Sequence, residues 1–173
     1  EKSRFIALKQ AYHGDTFGAM SVCDPDDGMH HLFTDNLMPN LFAEAPPICH
    51  HPSDPLSDQA CLNSLQMLLE QHHHEVAAFI FEPIIQGAGG MRFYSAEYLI
   101  KASALCRDYN VLLIADEIAT GLGRTGKLFA CEWANLQPDI LTLGKGLSAG
   151  MISLAAVICN ERVRSGISQA EPG

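Results

Sequence analysis

Two apolar runs within the stretch 111–145 most constrain the fold of this chain. The first run, 111–115, ends in the acidic pair Asp116 and Glu117, and the second run, 140–143, is followed by a glycine and Lys145. Continuous apolar runs of this length are typical of strands that are buried on both faces. Ligands bind at the carboxyl edge of open α/β sheets. We therefore expect Asp116 and Lys145 at such an edge, either in a ligand site or in a structural ion pair.

Further apolar and amphipathic segments predict the rest of an α/β fold. The other expected strands are 4–8, 76–85 and 154–159. The expected helices are 15–22, 57–74, 95–109 and 162–169. Alternation of strands and helices predicts a mostly parallel sheet with helices on both faces. The segment 23–55 is rich in Pro, Asp, Asn and His and lacks periodicity, so we predict a long loop near the mouth of the site.

Composition excludes some classes of function. The 173 residues are 47% hydrophobic, which is enough for one sizeable core. The net charge of -9 argues against nucleic acid and against an anionic membrane surface as partners. No apolar run approaches the roughly 20 residues of a membrane span, and the first residues lack the apolar segment of a signal peptide. The six cysteines form no C-x-x-C pair, which favours the reducing cytoplasm.

Clustered histidines suggest a metal site, but their spacing argues against one. Histidines occur in pairs at 30–31 and 50–51 and as a triplet at 72–74. Adjacent side chains diverge, and no acid or cysteine completes a ligand set at a useful spacing. We predict no metal site. The triplet is typical of the last turn of a helix, where partly protonated histidine suits the helix dipole.

Two motifs resemble the core of the class III aminotransferases, which use pyridoxal phosphate. They are LLIADEIATGLGRTGK at 112–127 and PDILTLGKGL at 138–147. The resemblance implies that Asp116 bonds the pyridine nitrogen of the cofactor and that Lys145 carries the cofactor as a Schiff base. A carboxylate that keeps this nitrogen protonated makes the ring an electron sink. A lysine amine is nucleophilic only when neutral, a state that burial near other cations favours, and the freed Lys145 would then act as general base and acid.

The same resemblance implies three further cofactor contacts. Tyr12, in the motif Tyr-His-Gly, would lie against one face of the cofactor ring, and Ile118 would pack on the opposite face. Ordinary packing on the sheet is the alternative for both side chains. Glu82, which follows the strand predicted at 76–85, would bond near the phenolic side of the cofactor and to the surroundings of Asp116.

Two longer blocks are similar to the subfamily that forms 7,8-diaminopelargonate in biotin synthesis. They are HGDTFGAMSVCDP at 13–25 and QGAGGMRFY at 86–94. This similarity implies S-adenosylmethionine as the amino donor and 8-amino-7-oxononanoate as the acceptor. Tyr12 and Asp15 would contact the substrate, with Asp15 holding its amino groups; helix capping is the alternative for Asp15. Arg124 would border the substrate pocket, where an arginine beside glycines can clamp a carboxylate; an arginine in a surface loop is the alternative.

Two alanines distinguish this chain from other branches of the resembling family. Many ω-aminotransferases carry a glutamate where this chain has Ala88 and a glutamine where it has Ala119. Both alanines favour the diaminopelargonate branch over an enzyme with another ω-amino donor. A non-catalytic relative is the more distant alternative, and the presence of Glu82, Asp116 and Lys145 argues against it.

Members of the resembling family are homodimers with the active site at the interface, and each chain is more than twice as long as this one. The chain 1–173 is therefore expected to be a partial cofactor-binding large domain. The N-terminal segment, the phosphate-binding elements and the C-terminal small domain would be absent from it. We expect such a fragment to be inactive on its own.

Overall fold

The structure of the chain, a computed structural model, describes residues 2–26 and 29–170, without the side chains of residues 29–31 and 170. The strands are β1 (Arg4–Leu8), β2 (Leu41–Ala43), β3 (Val76–Phe81), β4 (Ile85–Gln86), β5 (Arg92–Phe93), β6 (Leu112–Asp116), β7 (Ile140–Leu143) and β8 (Ala156–Cys159). The α-helices are α1 (Phe17–Met20), α2 (Ala60–His72), α3 (Ala96–Asp108) and α4 (Glu161–Ala170). Short 3₁₀ segments lie at Met29–Asn36, Ala130–Ala134 and Lys145–Leu147.

The main sheet has six strands in the order β2-β1-β3-β6-β7-β8. All its neighbouring pairs are parallel except β7 and β8, which are antiparallel. The predicted α/β class with a mostly parallel sheet is confirmed. Because β1, β3, β6 and β7 run parallel as neighbours, their carboxyl ends meet at one edge of the sheet, where α/β proteins bind ligands.

Helix α3 begins and ends for local reasons. Ser95 caps α3, since its side chain accepts a hydrogen bond from the backbone of Glu97, as the sequence predicted. After α3, Asn110 has a φ of 54°, and a left-handed residue stops a helix. The helix predicted at 57–74 is shorter in the structure, at Ala60–His72. Helices α2 and α3 contact each other, so their apolar residues join one core with the sheet.

The predicted loop 23–55 contains an edge strand of the sheet, so that prediction is wrong at 41–43. The side chain of Asn40 explains why so short a strand is ordered. Its amide oxygen accepts from the backbone of Phe5 at 2.9 Å, and its amide nitrogen donates to the carbonyl of Ser21 at 3.1 Å. Three strand residues are too few to produce an alternating pattern that the sequence could reveal.

Two other predicted strands differ from the structure. The run 76–85 is interrupted after Phe81, and Ile84 has a φ of 70°, so its last residues belong to the separate β4–β5 hairpin. The run 140–143 is only partly buried, because three of its four residues are half-buried. Its neighbour β8 is largely exposed, so β7 lacks the cover that was predicted for both of its faces.

Within the residues that the structure describes, no helix is both long and apolar enough to cross a membrane. The six cysteines all lie within the described residues, and each is a free thiol.

We predict that Gly89→Ala destabilises the protein because the turn after β4 touches the chain after β1. A Cβ at Gly89 would lie 1.9 Å from the carbonyl oxygen of Gln10, so the two segments must separate. Overpacking of this kind costs about 1–3 kcal/mol in the free energy of unfolding. Urea unfolding measures the loss. Gly18→Ala in α1 is the matched control, since a Cβ there meets nothing within 4 Å; equal unfolding midpoints for the two variants would contradict the prediction.

Candidate active site

Four adjacent strand ends place polar side chains around one cavity of about 750 Å³. This volume is within the usual range of small-molecule sites. The polar residues at the strand ends are Tyr12 and His13 after β1, Glu82 after β3, Asp116 at the end of β6 and Lys145 after β7. The sheet topology therefore assembles the cavity from segments that are far apart in sequence.

The cavity brings together most of the residues that the sequence singled out. Its walls include Tyr12, Glu82, Ala88, Asp116, Ile118, Ala119, Arg124 and Lys145. Asp15 is joined to this set through Tyr12, whose hydroxyl donates to the Asp15 carboxylate at 2.7 Å. The expectation that Asp116 and Lys145 share a ligand-binding edge agrees with this arrangement.

Asp116 is buried and is paired with a histidine to which the sequence prediction gave no role. Its Oδ2 lies 2.8 Å from Nδ1 of His13, and the two side chains are 7% and 2% exposed. An ionised carboxylate only accepts hydrogen bonds, so Nδ1 of His13 is the donor to an ionised Asp116. Nε2 of His13 is buried and makes no hydrogen bond within the described residues. The sequence signal that could have indicated a role for His13 was its position beside an aromatic residue, just after a predicted strand.

The surroundings of Asp116 fit a bound pyridine nitrogen. Its Oδ1 accepts from the backbone of Ile118 at 3.1 Å and from the Thr142 hydroxyl at 3.2 Å. With His13 these make three donors, whereas an ionised carboxylate has about four acceptor positions. One position therefore remains for a protonated ring nitrogen in the cavity that Asp116 lines.

Ile118 forms part of the cavity wall because a glycine lies behind it. A Cβ at Gly144 would be 3.3 Å from Cγ2 of Ile118. A side chain at 144 would therefore require Ile118 to shift by a few tenths of an ångström. Ile118 lines the cavity, and its predicted contact with a cofactor ring stays a prediction.

Glu82 ties the segment after β1 to the turn after β4. Its Oε2 accepts from the backbone N–H of Tyr12 at 3.2 Å, and its Oε1 accepts from that of Gly87 at 2.9 Å. Burial raises the pKa of the Glu82 carboxyl, and the nearby charge of Asp116 acts in the same direction. These contacts show that Glu82 holds two segments of the cavity wall together. Its predicted role beside a cofactor stays a prediction.

Glu117, the second acid of the pair after β6, stabilises the glycine-rich turn. It is 1% exposed and accepts from the Thr120 hydroxyl at 2.5 Å and from the Cys131 backbone at 2.9 Å. Burial and the neighbouring Glu117 raise the pKa of the Cys131 thiol. The two adjacent acids thus have separate tasks: Asp116 lines the cavity, and Glu117 holds the turn that carries Arg124.

Lys145 lines the cavity in an unusual backbone conformation. Its φ is 41°, in the left-handed region that costs a non-glycine residue about 1–3 kcal/mol. The residue is exposed within the described chain. The described residues therefore do not bury the Lys145 amine. The turn that carries Lys145 follows β7, whose neighbour β8 is itself largely exposed.

Asp15 does not cap the helix that follows it. The N-cap of α1 is Thr16, whose Oγ1 accepts from the backbone of Ala19 at 3.4 Å, so the capping alternative for Asp15 is wrong. Asp15 instead holds the Tyr12 hydroxyl. That hydrogen bond, with burial and the Asp15 charge, raises the pKa of Tyr12 to about 12 and keeps the phenol neutral.

Arg124 is exposed and lines the cavity from the glycine-rich turn. Gly123 and Gly126, on either side, have φ values of 96° and 85°, a conformation that favours glycine. The turn therefore places a guanidinium at the cavity wall with little side-chain bulk around it. Its predicted contact with substrate stays a prediction.

The histidine clusters form no metal centre within the residues that the structure describes. These residues contain no group of three or more His, Cys, Asp or Glu side chains that could hold a metal ion. His72 ends α2 and pairs with Glu75 at 2.7 Å. The side chains of His30 and His31 lie outside the described residues.

Comparison with known proteins identifies the family. The family model described as Aminotransferase class-III matches residues 1–173. The adenosylmethionine-8-amino-7-oxononanoate aminotransferase of Corynebacterium glutamicum is 44% identical to the chain over 173 residues, which are 100% of this chain and 40% of that protein. The chain belongs to the class III aminotransferases. The family predicted from the motifs at 112–127 and 138–147 is confirmed.

Solved structures of aminotransferases share the fold. The adenosylmethionine-8-amino-7-oxononanoate aminotransferase of Methanocaldococcus jannaschii gives a TM-score of 0.82 at 37% identity, over 95% of this chain and 36% of that one. An amine transaminase from an uncultivated Pseudomonas species, in its pyridoxal-phosphate-bound form, gives 0.83 at 34% identity, over 96% and 38%. The predicted cofactor is thereby confirmed for the family. The chain spans about two fifths of the length of these relatives.

We predict that Glu82→Gln changes how the stability of this aminotransferase chain depends on pH. The pKa of Glu82 is raised by folding, so the stability that the neutral carboxyl contributes is lost as pH rises through the folded pKa. The free energy of unfolding of the parent should therefore fall relative to that of Glu82→Gln as pH rises above the ordinary glutamate pKa of about 4.5. Urea unfolding at several pH values measures the difference. Glu70→Gln, at an exposed position on α2, is the control, and a parallel pH course for parent and Glu82→Gln would count against the prediction.

Proposed function

We propose that the chain is the central part of a transaminase that passes an amino group from S-adenosylmethionine to 8-amino-7-oxononanoate, with pyridoxal phosphate as cofactor. The observation that carries the proposal is the meeting of Tyr12, Asp116 and Lys145 at one cavity. The names of the relatives from Corynebacterium and Methanocaldococcus supply the two substrates. Domain assignment follows from the same proposal, with 1–173 as part of a large cofactor-binding domain.

Asp116 and Lys145 would hold the cofactor from two strand ends. Pyridoxal phosphate, when bound, supplies an electron sink for the electron pair that the loss of a proton leaves at the substrate Cα. Asp116, kept in one orientation by His13 and Thr142, would accept a hydrogen bond from the ring nitrogen and keep it protonated. Lys145 would supply the amine that binds the cofactor and, once released by the substrate amine, would move the proton away from Cα.

Tyr12 and Ile118 would fix the plane of the cofactor ring from opposite faces. Glu82 supports this arrangement because it accepts a hydrogen bond from the backbone of Tyr12 and thereby fixes the segment that carries the phenol. Catalytic side chains must stay within roughly 0.5 Å of their productive positions, and buried hydrogen bonds hold them there.

Asp15 and Arg124 would orient the substrates by charge. Both substrates carry an amino group and a carboxylate. The exposed Asp15 carboxylate, already bound to Tyr12, would attract the ammonium group. Arg124 at the cavity wall would bind the carboxylate, since a guanidinium presents two parallel donors to it. Ala88 and Ala119 leave room in the wall where other branches of the family have longer side chains.

Three further features belong to the proposal. The enzyme would be a homodimer. It would lie in the cytoplasm, a location that agrees with six free thiols. The chain of 173 residues would not turn over by itself, since the phosphate-binding elements would come from outside it. Steady transamination by the purified 173-residue chain would overturn this part of the proposal.

A second candidate is a class III transaminase with another ω-amino donor. The observation in its favour is the structural similarity to the Pseudomonas amine transaminase. Its TM-score of 0.83 is as high as the 0.82 of the Methanocaldococcus enzyme. Substrate choice separates the two candidates, because the fold and the cofactor are common to both.

The decisive experiment is a half-reaction in a protein of full family length that contains this chain. After loading with pyridoxal phosphate, S-adenosylmethionine alone is added and the visible absorbance band of the lysine-bound cofactor is followed. We expect the band to disappear as the amino group passes to the cofactor. A band that responds only to ω-amino acids would support the second candidate, and a protein without the band would refute the cofactor role of Lys145.

Substitution of the two strand-end residues gives a separate prediction. Lys145→Ala should abolish the visible band and steady transamination, because the amine that binds the cofactor is lost. Asp116→Asn should keep the cofactor but lose at least about a hundredfold in rate, since the ring nitrogen loses its anionic partner. Lys101→Ala, which removes an exposed lysine of α3, is the matched control. Full activity in either site variant would exclude its assigned role.

A further inference from the structure

The register of β6 and β7 places a hydroxyl beside the acid of the candidate site. Asp116 and Thr142 are partners in the parallel ladder, and the backbone of Glu117 donates to the carbonyl of Thr142 at 3.0 Å. Partners in a ladder direct their side chains to the same face of the sheet. The Thr142 hydroxyl consequently donates to Oδ1 of Asp116 at 3.2 Å.

This hydrogen bond completes a restraint on both oxygens of the carboxylate. Oδ2 of Asp116 is held by His13, and Oδ1 is shared between the backbone of Ile118 and Thr142. The bond from Ile118 comes from the turn that Asp116 itself begins, and would move with it. Thr142 is on a different strand, so its hydroxyl fixes Oδ1 relative to the sheet. A β-branched side chain has restricted χ1, which fixes the hydroxyl in turn.

We propose that Thr142 is a positioning residue for the Asp116 carboxylate, and thus sets the alignment of this acid with the ring nitrogen of a bound cofactor. The inference rests on the proposed function. Asp116 is 5% exposed, so water has little access to replace a lost hydroxyl. Removal of the hydroxyl would leave Oδ1 with one local donor and allow the carboxylate to rotate about its last bond.

Thr142→Val tests the proposal, because valine keeps the branched shape and the strand preference but lacks the donor. Thr142→Ser is the conservative variant, since it keeps the donor and loses a methyl group. Both are made in the full-length protein loaded with pyridoxal phosphate. Two quantities are measured: the rate constant of the donor half-reaction in a single turnover, and the pH midpoint of the visible absorbance band.

We expect Thr142→Val to slow the half-reaction by about three- to tenfold, the effect of losing one ordinary intramolecular hydrogen bond, since the contact with Asp116 is long at 3.2 Å. The pH midpoint of the band should move upward, because a less firmly protonated ring withdraws less charge from the linked lysine nitrogen. Thr142→Ser should restore both quantities to within about twofold of the parent rate and to the parent midpoint. A merely structural hydroxyl would lower the melting temperature without moving the midpoint, and that result would overturn the proposal.

The measurements distinguish a failure of the proposed function from a failure of the role of Thr142. A parent protein that shows no lysine-linked band removes the proposed function, and the role of Thr142 with it. A parent that shows the band and a Thr142→Val variant with an unchanged rate and midpoint refute the positioning role alone. If Thr142→Val does not fold, Thr142→Ala removes the same donor: an upward shift of its midpoint sustains the proposal, and an unchanged midpoint overturns it.

Discussion

The buried carboxylate of Asp116 is the constraint on which the rest of the site depends. A charge that is removed from water is costly unless hydrogen bonds replace its hydration. The chain meets this requirement with donors from three segments: His13 after β1, Ile118 in the turn after β6 and Thr142 on β7. These donors are available only because β1, β3, β6 and β7 lie parallel in one sheet. The strand order of the sheet therefore determines which donors reach Asp116.

Much of the fold and site followed from the sequence because the signals were local. Apolar runs at 111–115 and 140–143 end in polar residues, and this pattern requires only that strands be buried and end at an edge. The N-cap of α3 at Ser95 depends on contacts within one turn. The position of Asp116 and Lys145 at a shared cavity followed from strand direction, which neighbouring helices impose on a parallel sheet.

What the sequence did not reveal depends on contacts between distant segments. His13 is 103 positions from Asp116, and nothing in its own neighbourhood indicates the partner. Strand β2 is held by Asn40, whose side chain bonds to β1 rather than to its own strand. The exposure of β7 depends on its neighbour β8. Each of these is a property of strand order, which the periodicity of a single segment does not encode.

Under the role proposed for Lys145, its left-handed φ of 41° sets catalysis against stability at one position. Glycine and asparagine adopt this conformation with less strain than lysine does. Selection for a more stable chain alone would therefore favour replacing Lys145, and the replacement would remove the amine from the cavity. Under the proposed role of Lys145, a search for thermostable variants that does not also screen for chemistry would favour inactive sequences, which is a stability–activity trade-off at one backbone angle.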